Sequence, residues 1–429
     1  MKTSTKVIIA VLFCYFVAWL DRMAISMALP YIGKEFNLSA TALGGILSAF
    51  FIGYAGCQIP GGWLADKFGA RRVITSALAV WSLFTAFTGM VSNITQMLIV
   101  RFVFGAGEGV FPGPVWKIVG SWFSKKDRGT ANSCVLTSTT LGPAITPLLV
   151  APLIAAYGWR AVFYILGALG IVCVYISWRY IVDKPEEYPG ISAEEVRLIK
   201  EQRAADEAAA AGMEQSIAPK ASFWELIQEP RIWVMFFGVF FLTVPIWGYM
   251  TWLPTYLVKV RGLTLAKMSI AASIPFFVAT VGMLLSGWMS DKFFRGRRRY
   301  LVIAAELVGA FCLYLFYTTP SVEYATLYQS LAAGFLFMAL GSIWALPVIY
   351  LPENLMGSGS GFVNTGGQLG GLVAPFALGL VIDWTGGNYD AAFKLLAFSC
   401  LISSAIIFLG IREKKNPAGP LPAAQATGR

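Results

Sequence analysis

Twelve apolar runs, each close to the roughly 20 residues of helix that cross a bilayer, recur along this chain. They cover residues 6–29, 40–64, 73–93, 97–122, 130–155, 161–182, 231–258, 268–290, 300–319, 325–350, 358–383 and 391–411. Hydrocarbon offers no partner to a backbone N–H or C=O, so runs of this length must be helices. Strand-type alternation is absent, which excludes a β-barrel. Composition agrees: 57% of the 429 residues are hydrophobic, 13% are charged, and the mean hydropathy is +0.66. An average soluble domain carries roughly 25% charged residues. The expectation is an all-α integral membrane protein of 12 transmembrane helices. An ordinary soluble enzyme, a disordered chain and a secreted disulfide scaffold are excluded.

The start, Met1 to Trp19, has the look of a signal peptide, with Lys2 and Lys6 ahead of the apolar stretch. The Asp21-Arg22 pair that follows sits at membrane depth, so the first helix is expected to stay uncleaved. The longest polar stretch, 183–230, holds 11 of the 23 acidic residues and the run Ala208 to Ala211. It reads as a central linker with some surface helix. The expected organisation is a six-helix half at 1–182, the linker at 183–230, a second half at 231–411 and a tail at 412–429.

The net charge of +10 comes from cations in short gaps between apolar runs, not from a basic face that would bind nucleic acid. Lys67, Arg71 and Arg72 follow run 2, and Lys125, Lys126 and Arg128 follow run 4. Lys292, Arg295 and Arg297 to Arg299 follow run 8, and Arg412, Lys414 and Lys415 follow run 12. With twelve spans all fall on one side, so both termini are expected in the cytoplasm; Lys259, Arg261 and Lys267 dissent. The six cysteines lie in apolar stretches without a CxxC, as core residues rather than bridges or metal ligands. No metal and no cofactor is expected.

A segment repeats. Gly62-Trp63-Leu64-Ala65-Asp66-Lys67-Phe68-Gly69-Ala70-Arg71-Arg72 closes run 2, and Gly287-Trp288-Met289-Ser290-Asp291-Lys292-Phe293 closes run 8. Two copies on the same side imply parallel six-helix halves related by a pseudo-two-fold axis along the membrane normal. The string Gly62…Asp66…Gly69…Arg71-Arg72 resembles the loop 2–3 signature of the major facilitator superfamily, and 287–299 its weaker counterpart. The resemblance spans nearly the whole chain. It implies a major facilitator fold in which Gly62, Asp66, Arg71, Arg72 and Asp291 govern conformational gating. The glycine would allow close helix approach, and Asp66 would cap a helix or pair with a cation.

A charge at mid-bilayer costs about 2.5–3.5 kcal/mol even on a lenient scale, so buried ionisable residues mark function. Asp21 and Arg22 lie in run 1; Arg101 and Glu108 lie in run 4, nearly two turns apart on one face. Adjacent residues point about 100° apart on a helix, so Asp21 and Arg22 make a poor pair with each other. In the second half only Glu306 and Lys394 compare, both placed near helix ends. The chain has no histidine, which leaves carboxylates to carry protons, and Asp21 and Glu108 are the candidates. Lys117 is nominally on the face opposite Glu108, but Pro112 and Pro114 interrupt the register. It is grouped with the substrate contacts, with snorkelling to the surface as its alternative.

Asp21-Arg22, Tyr54 with Gln58-Ile59-Pro60-Gly61-Gly62-Trp63, Gly107-Glu108 with Phe111-Pro112, and Ser121-Trp122-Phe123 before Arg128 look like the anion–cation symporter family. That family includes bacterial sugar-acid/proton symporters and animal sialic-acid and vesicular glutamate carriers. The resemblance implies that Arg22 holds a substrate carboxylate, that Asp21 and Glu108 take protons, that Arg101 organises Glu108 and that Tyr54 lines the cavity. Asn364 and Gln368, four residues apart in run 11, fit a polar contact from the second half, Asn364 better than Gln368. Trp19, Phe111, Trp116, Trp247 and Tyr249 suggest an aromatic-lined cavity, with Trp19 grouped with the substrate contacts. Two departures stand out: Pro352-Glu353-Asn354 lacks a basic residue common in relatives, and Gly142-Pro143 only hints at an antiporter signature.

The expectation is therefore import, by alternating access, of a small organic anion with protons through a monomer in the bilayer of the bacterial inner membrane. A sugar acid is the leading substrate, ahead of an aromatic or other monocarboxylate. Rival readings are an anion exchanger, a drug/proton antiporter, or a membrane sensor that transports nothing. No phosphate loop supports an ATP-driven pump, and without histidine a membrane enzyme is disfavoured.

Overall fold

The computed structural model describes residues 2–214, 223–294, 297–351 and 356–411. Arg295, the Pro352–Asn354 loop and the tail with Arg412, Lys414 and Lys415 lie outside them. Twelve helical spans cross the fold. Spans 1, 2 and 3 are Thr3–Glu35, Ala40–Phe68 and Ala70–Thr88. Span 4 joins Ile94–Val110 to Pro112–Trp122. Span 5 joins Lys125–Leu136 to the first part of Ser138–Tyr180, and span 6 is the remainder. Spans 7, 8 and 9 are Pro230–Lys259, Leu265–Lys292 and Arg298–Thr318. Span 10 joins Val322–Ile343 to Ala345–Tyr350, and spans 11 and 12 are Met356–Trp384 and Tyr389–Gly410. The linker carries a further helix, Ala193–Glu214.

Local chemistry sets the breaks. Spans 2 and 3 are separated by Gly69 alone, at φ +87, a left-handed conformation that favours glycine. Gly158, at φ +79, does the same between spans 5 and 6. Asn93 caps span 4 by accepting from the Gln96 N–H, while Gln96 Oε1 accepts from the Ser92 N–H. Pro112 starts the second piece of span 4, because proline lacks the N–H that would continue the first. Span 1 runs on to Glu35, past the expected end, with Pro30 inside it.

The halves repeat their packing. Span 2 lies on span 4 and span 8 on span 10, while span 3 lies on span 6 and span 9 on span 12. Small residues bring spans 2 and 4 together. A Cβ on Gly105 would meet the Phe50 carbonyl oxygen at 2.1 Å, and one on Gly109 the Tyr54 carbonyl oxygen at 2.2 Å. This small-xxx-small stripe fixes the faces of both helices.

The seam between halves is sealed at the end away from the basic loops. Asp383, near the end of span 11, accepts from the Ala40 N–H at 3.0 Å, the Thr41 N–H at 2.7 Å and the Thr41 hydroxyl at 2.5 Å. A carboxylate from the second half thus caps span 2 of the first. Ser48 Oγ donates to the Leu372 carbonyl at 2.6 Å, deeper in the same seam. At the basic end the described ion pairs stay within one half: Lys117 with Asp66 at 2.8 Å, and Arg298 with Asp291 at 2.9 Å. Asp66 and Asp291 occupy equivalent places in the repeat, but their partners do not: Lys117 lies in span 4 and Arg298 at the start of span 9.

Three expectations need correction. Cys134 is exposed and Cys57 half-buried, so neither is a core residue; Cys14, Cys173, Cys312 and Cys400 are buried. Glu306 is not at a helix end but fully buried inside span 9, accepting from Ser403 Oγ and Ser404 Oγ of span 12 at 2.6 and 2.7 Å. The close approach at loop 2–3 belongs first to Gly61, where a Cβ would sit 2.5 Å from the Val110 carbonyl oxygen; Gly62 has open space at that position.

Candidate functional site

Asp21, Arg22, Arg101 and Glu108 are all at most 9% exposed. Arg22 donates to Glu108 Oε2 through Nε at 3.0 Å and Nη2 at 2.6 Å. Its guanidinium is boxed by aromatic faces: Trp19 at 4.5 Å, Tyr54 at 4.6 Å, Phe50 at 4.9 Å and Trp247 at 5.9 Å. Phe50 and Tyr54 owe their placement to the Gly105 and Gly109 contacts one layer behind them. Trp247 comes from span 7 and stacks on Trp19 at 5.9 Å with planes 3° apart, so the box closes across the seam. Gly142 makes room for it, since a Cβ there would lie 2.4 Å from Trp19 Cβ. That contact explains a glycine in Gly142-Pro143 without an antiporter signature.

The pairing differs from the sequence expectation. Arg101 does not bond Glu108. Its guanidinium lies over Phe104 at 4.5 Å and Phe50 at 5.4 Å, and its Nε has no hydrogen-bond partner among the described residues. Glu108 is held by Arg22, 86 positions away, while its Oε1 stays without a partner. Asp21 is the larger anomaly. Both its oxygens are buried and without a hydrogen-bond partner among the described residues, although Thr85 lies beside it.

Lys117 is also elsewhere. Its Nζ donates to Asp66 Oδ1 at 2.8 Å and to the Ala65 carbonyl at 2.9 Å, at the end of span 2, and it makes no bond to the Arg22–Glu108 pair. Arg71 is engaged with the Trp178 carbonyl and ring, and its N–H donates to Asp183 Oδ1 at 2.9 Å. Tyr249 is packed against Phe276 and Phe316 inside the second half, away from the box. Phe111 and Trp116 sit behind the box, each against Tyr15. Asn364 and Gln368 are half-buried and hydrogen-bonded to none of the described residues. Gly371, three residues past Gln368 on the same face, meets the Phe51 ring of span 2. That face of span 11 therefore looks across the seam toward the first half.

Phe50 was not singled out from sequence. The signal was there: Phe50 and Tyr54 are four apart, as are Gly105 and Gly109, so two stripes of matching period mark a helix–helix contact.

The arrangement holds two carboxylates and two guanidiniums in a low-dielectric pocket, with one ion pair made and one carboxylate idle. Its ingredients suit the exchange of an anion and a proton and offer no nucleophile–base pair for bond chemistry.

Comparison with known proteins agrees. A family model described as Major Facilitator Superfamily matches residues 11–375. The probable sulfoacetate transporter of Cupriavidus necator is 31% identical over 420 residues, covering 96% of this chain and 93% of that one. The probable galactarate/D-glucarate transporter of Escherichia coli K12 is 30% identical, covering 93% of each chain. The hexuronate transporter of Bacillus subtilis is 28% identical over 97% of each. Among solved structures, a bacterial homologue of the human lysosomal transporter Spinster, inward-facing and occupied, superposes with TM-score 0.78 at 19% identity, covering 95% of this chain and 96% of that one. A twelve-helix fold in two halves, a family match over most of its length and relatives of this kind make the chain a membrane transporter of the major facilitator superfamily, in its anion–cation symporter branch, and not an enzyme.

Proposed function

We propose that this protein is a proton-coupled symporter that imports a small organic acid, with sugar acids as the leading class, across a bacterial inner membrane. The basic end of the fold is the cytoplasmic side, where lysines and arginines concentrate, and both termini lie there. The observation that carries the proposal is the Arg22–Glu108 pair inside an aromatic box, beside an Asp21 with no hydrogen-bond partner among the described residues.

The pair supplies a coupling step. A substrate carboxylate that reaches Arg22 competes with Glu108 for the same donors. Displaced, Glu108 becomes an unpaired carboxylate in low dielectric, and taking a proton removes that charge. Proton and anion therefore bind better together than apart, and such coupling is reciprocal, about 1–3 kcal/mol. Asp21 is the second protonation site, already without a counter-charge bond. Asn364 and Gln368 meet the hydroxyls of the substrate from the second half. The names of relatives support the substrate class: galactarate/D-glucarate, hexuronate and D-galactonate transporters. They also include a sulfoacetate transporter, which keeps a small sulfonated carboxylate in play.

The test is uptake of glucarate, glucuronate, galactonate and sulfoacetate into proteoliposomes, with and without an imposed pH gradient. Accumulation of one of these anions against its gradient, driven by external acid, is expected. Equal uptake in both conditions, with counterflow intact, would identify an exchanger or facilitator instead.

A further inference from the structure

We propose that a groove on the outside of the first half binds an anionic phospholipid, with one acyl chain in the groove and the phosphate on Arg72. The groove has a volume of about 530 Å³ and lies between spans 2, 3 and 4. It runs from Phe68 and Arg72 at the basic end to Cys57, Val80, Val103 and Gly107. Eleven helical residues separate Phe68 from Cys57, a rise of about 16 Å. One leaflet of hydrocarbon is half of a core about 30 Å thick. The groove is thus one leaflet deep.

Its chemistry is divided along that depth. Arg72 is the sole charged residue lining it, and Arg72 sits at the mouth. The rest is apolar apart from Ser76. Phe68 and Val80, 49% and 41% exposed, turn apolar surface outward where hydrocarbon must cover it. The two neighbouring arginines have different employment. Arg71 is committed to Trp178 and Asp183, whereas Arg72 is exposed and makes no hydrogen bond or ion pair among the described residues. Lys67, over the Trp63 and Phe68 rings at 5.1 and 5.3 Å, adds a second cation at the mouth. An occupant must be apolar over one leaflet and anionic at its end, which describes a lipid and not a free phosphate. A second groove, about 660 Å³ between spans 2, 4 and 11, is lined by residues such as Gly45, Ile52 and Phe376, with no charge. It offers the internal control: tails without a headgroup preference.

The experiment is native mass spectrometry of the delipidated full chain with phosphatidylglycerol or phosphatidylcholine of identical tails. The wild type should prefer phosphatidylglycerol roughly thirtyfold, the factor that about 1 kcal/mol for each of the two basic residues converts to. Arg72→Gln should cut the preference about fivefold but keep both adducts. Val80→Trp, which fills the groove, should weaken both, and Ile52→Trp in the other groove should leave the preference intact. Inorganic phosphate at matched concentration should not displace the lipid. Equal binding of the two lipids by the wild type, an unchanged preference in Arg72→Gln, or displacement by phosphate alone would overturn the proposal.

Discussion

Asp21 in the first half and Glu306 in the second are carboxylates of nearly equal burial, at 1% and 0% exposure. Glu306 has one serine hydroxyl on each oxygen, and those two bonds tie span 9 to span 12. Asp21 has none among the described residues, with Thr85 at its side. A fold that needed Asp21 only for packing would gain by closing it as Glu306 is closed, since a buried acceptor without a donor costs about 1–3 kcal/mol. The first half instead keeps an idle carboxylate next to a made ion pair. The difference separates a carboxylate that holds two helices together from one that the proposed coupling cycle leaves available for a proton.

The strongest way to break this comparison is at Arg22. Arg22→Ala leaves Glu108 buried without its cation, and breaking a buried pair costs about 3–5 kcal/mol. Thermal unfolding should show that loss, and carboxylate binding should vanish. Arg22→Lys should restore little, because a point charge does not reproduce the planar fork. Unchanged substrate affinity in Arg22→Ala would move the anion site elsewhere.

The carboxylates come next. One unit of pH gradient supplies about 1.36 kcal/mol per proton, which is tenfold accumulation. Glu108→Gln and Asp21→Asn should each lose that accumulation while Glu108→Gln keeps counterflow at equal pH. Glu306→Gln should keep both. If Glu306→Gln abolished gradient-driven uptake and the other two did not, the assignment of roles would be reversed.

A smaller effect is expected at the two ends of the seam. Asp383→Ala removes charged hydrogen bonds that join the halves, each worth about 1.5–3 kcal/mol, so cysteine labelling from the side away from the basic loops should rise at least severalfold. Asp66→Asn breaks a pair that is exposed on both partners and internal to one half. Exposed pairs contribute about 0.2–1 kcal/mol, so labelling should shift less and transport should slow rather than stop. Equal shifts in the two variants would undo the distinction between seam and loop.

The smallest effect belongs to the linker. Lys200 hydrogen-bonds Glu186 and holds its carboxyl below the usual carboxylate range. With a depressed pKa the contact is complete above the ordinary carboxylate range and is lost only as pH falls below it. Lys200→Ala should therefore leave the pH profile of uptake unchanged between about pH 5 and 8.

The spans were legible because bilayer thickness turns composition directly into helix length. The four buried charges were legible because hydrocarbon makes each of them expensive. Their pairing was not. Helical arithmetic ranks partners within a helix, and it put Arg101 with Glu108 because they share a face seven residues apart. The true partner, Arg22, is set by how spans 1, 2 and 4 come together around the box, and the Gly105 and Gly109 contacts fix span 4 on span 2. Lys117 was hidden by the break at Pro112, which uncouples the face of its helix piece from that of Glu108. Glu306 looked marginal because no sequence rule foresees two serines from another helix.

The described buried ionisable groups of the first half match in number, two guanidiniums against two carboxylates, so each proton or anion that enters changes the charge the carrier moves through the field. A monoanion entering with one proton leaves that charge unchanged, and the membrane voltage does no net work on the cycle. A dianion accompanied by one proton adds a net negative charge and meets about 2.3 kcal/mol of opposition per 100 mV, interior negative. At that voltage two acids of like shape would differ roughly fiftyfold in accumulation by valence alone. A potassium diffusion potential imposed on proteoliposomes at fixed pH gradient would read this sorting directly: with one proton per anion galactonate is indifferent to voltage and glucarate repelled by it, and with Asp21 and Glu108 both loading, galactonate is drawn in and glucarate indifferent.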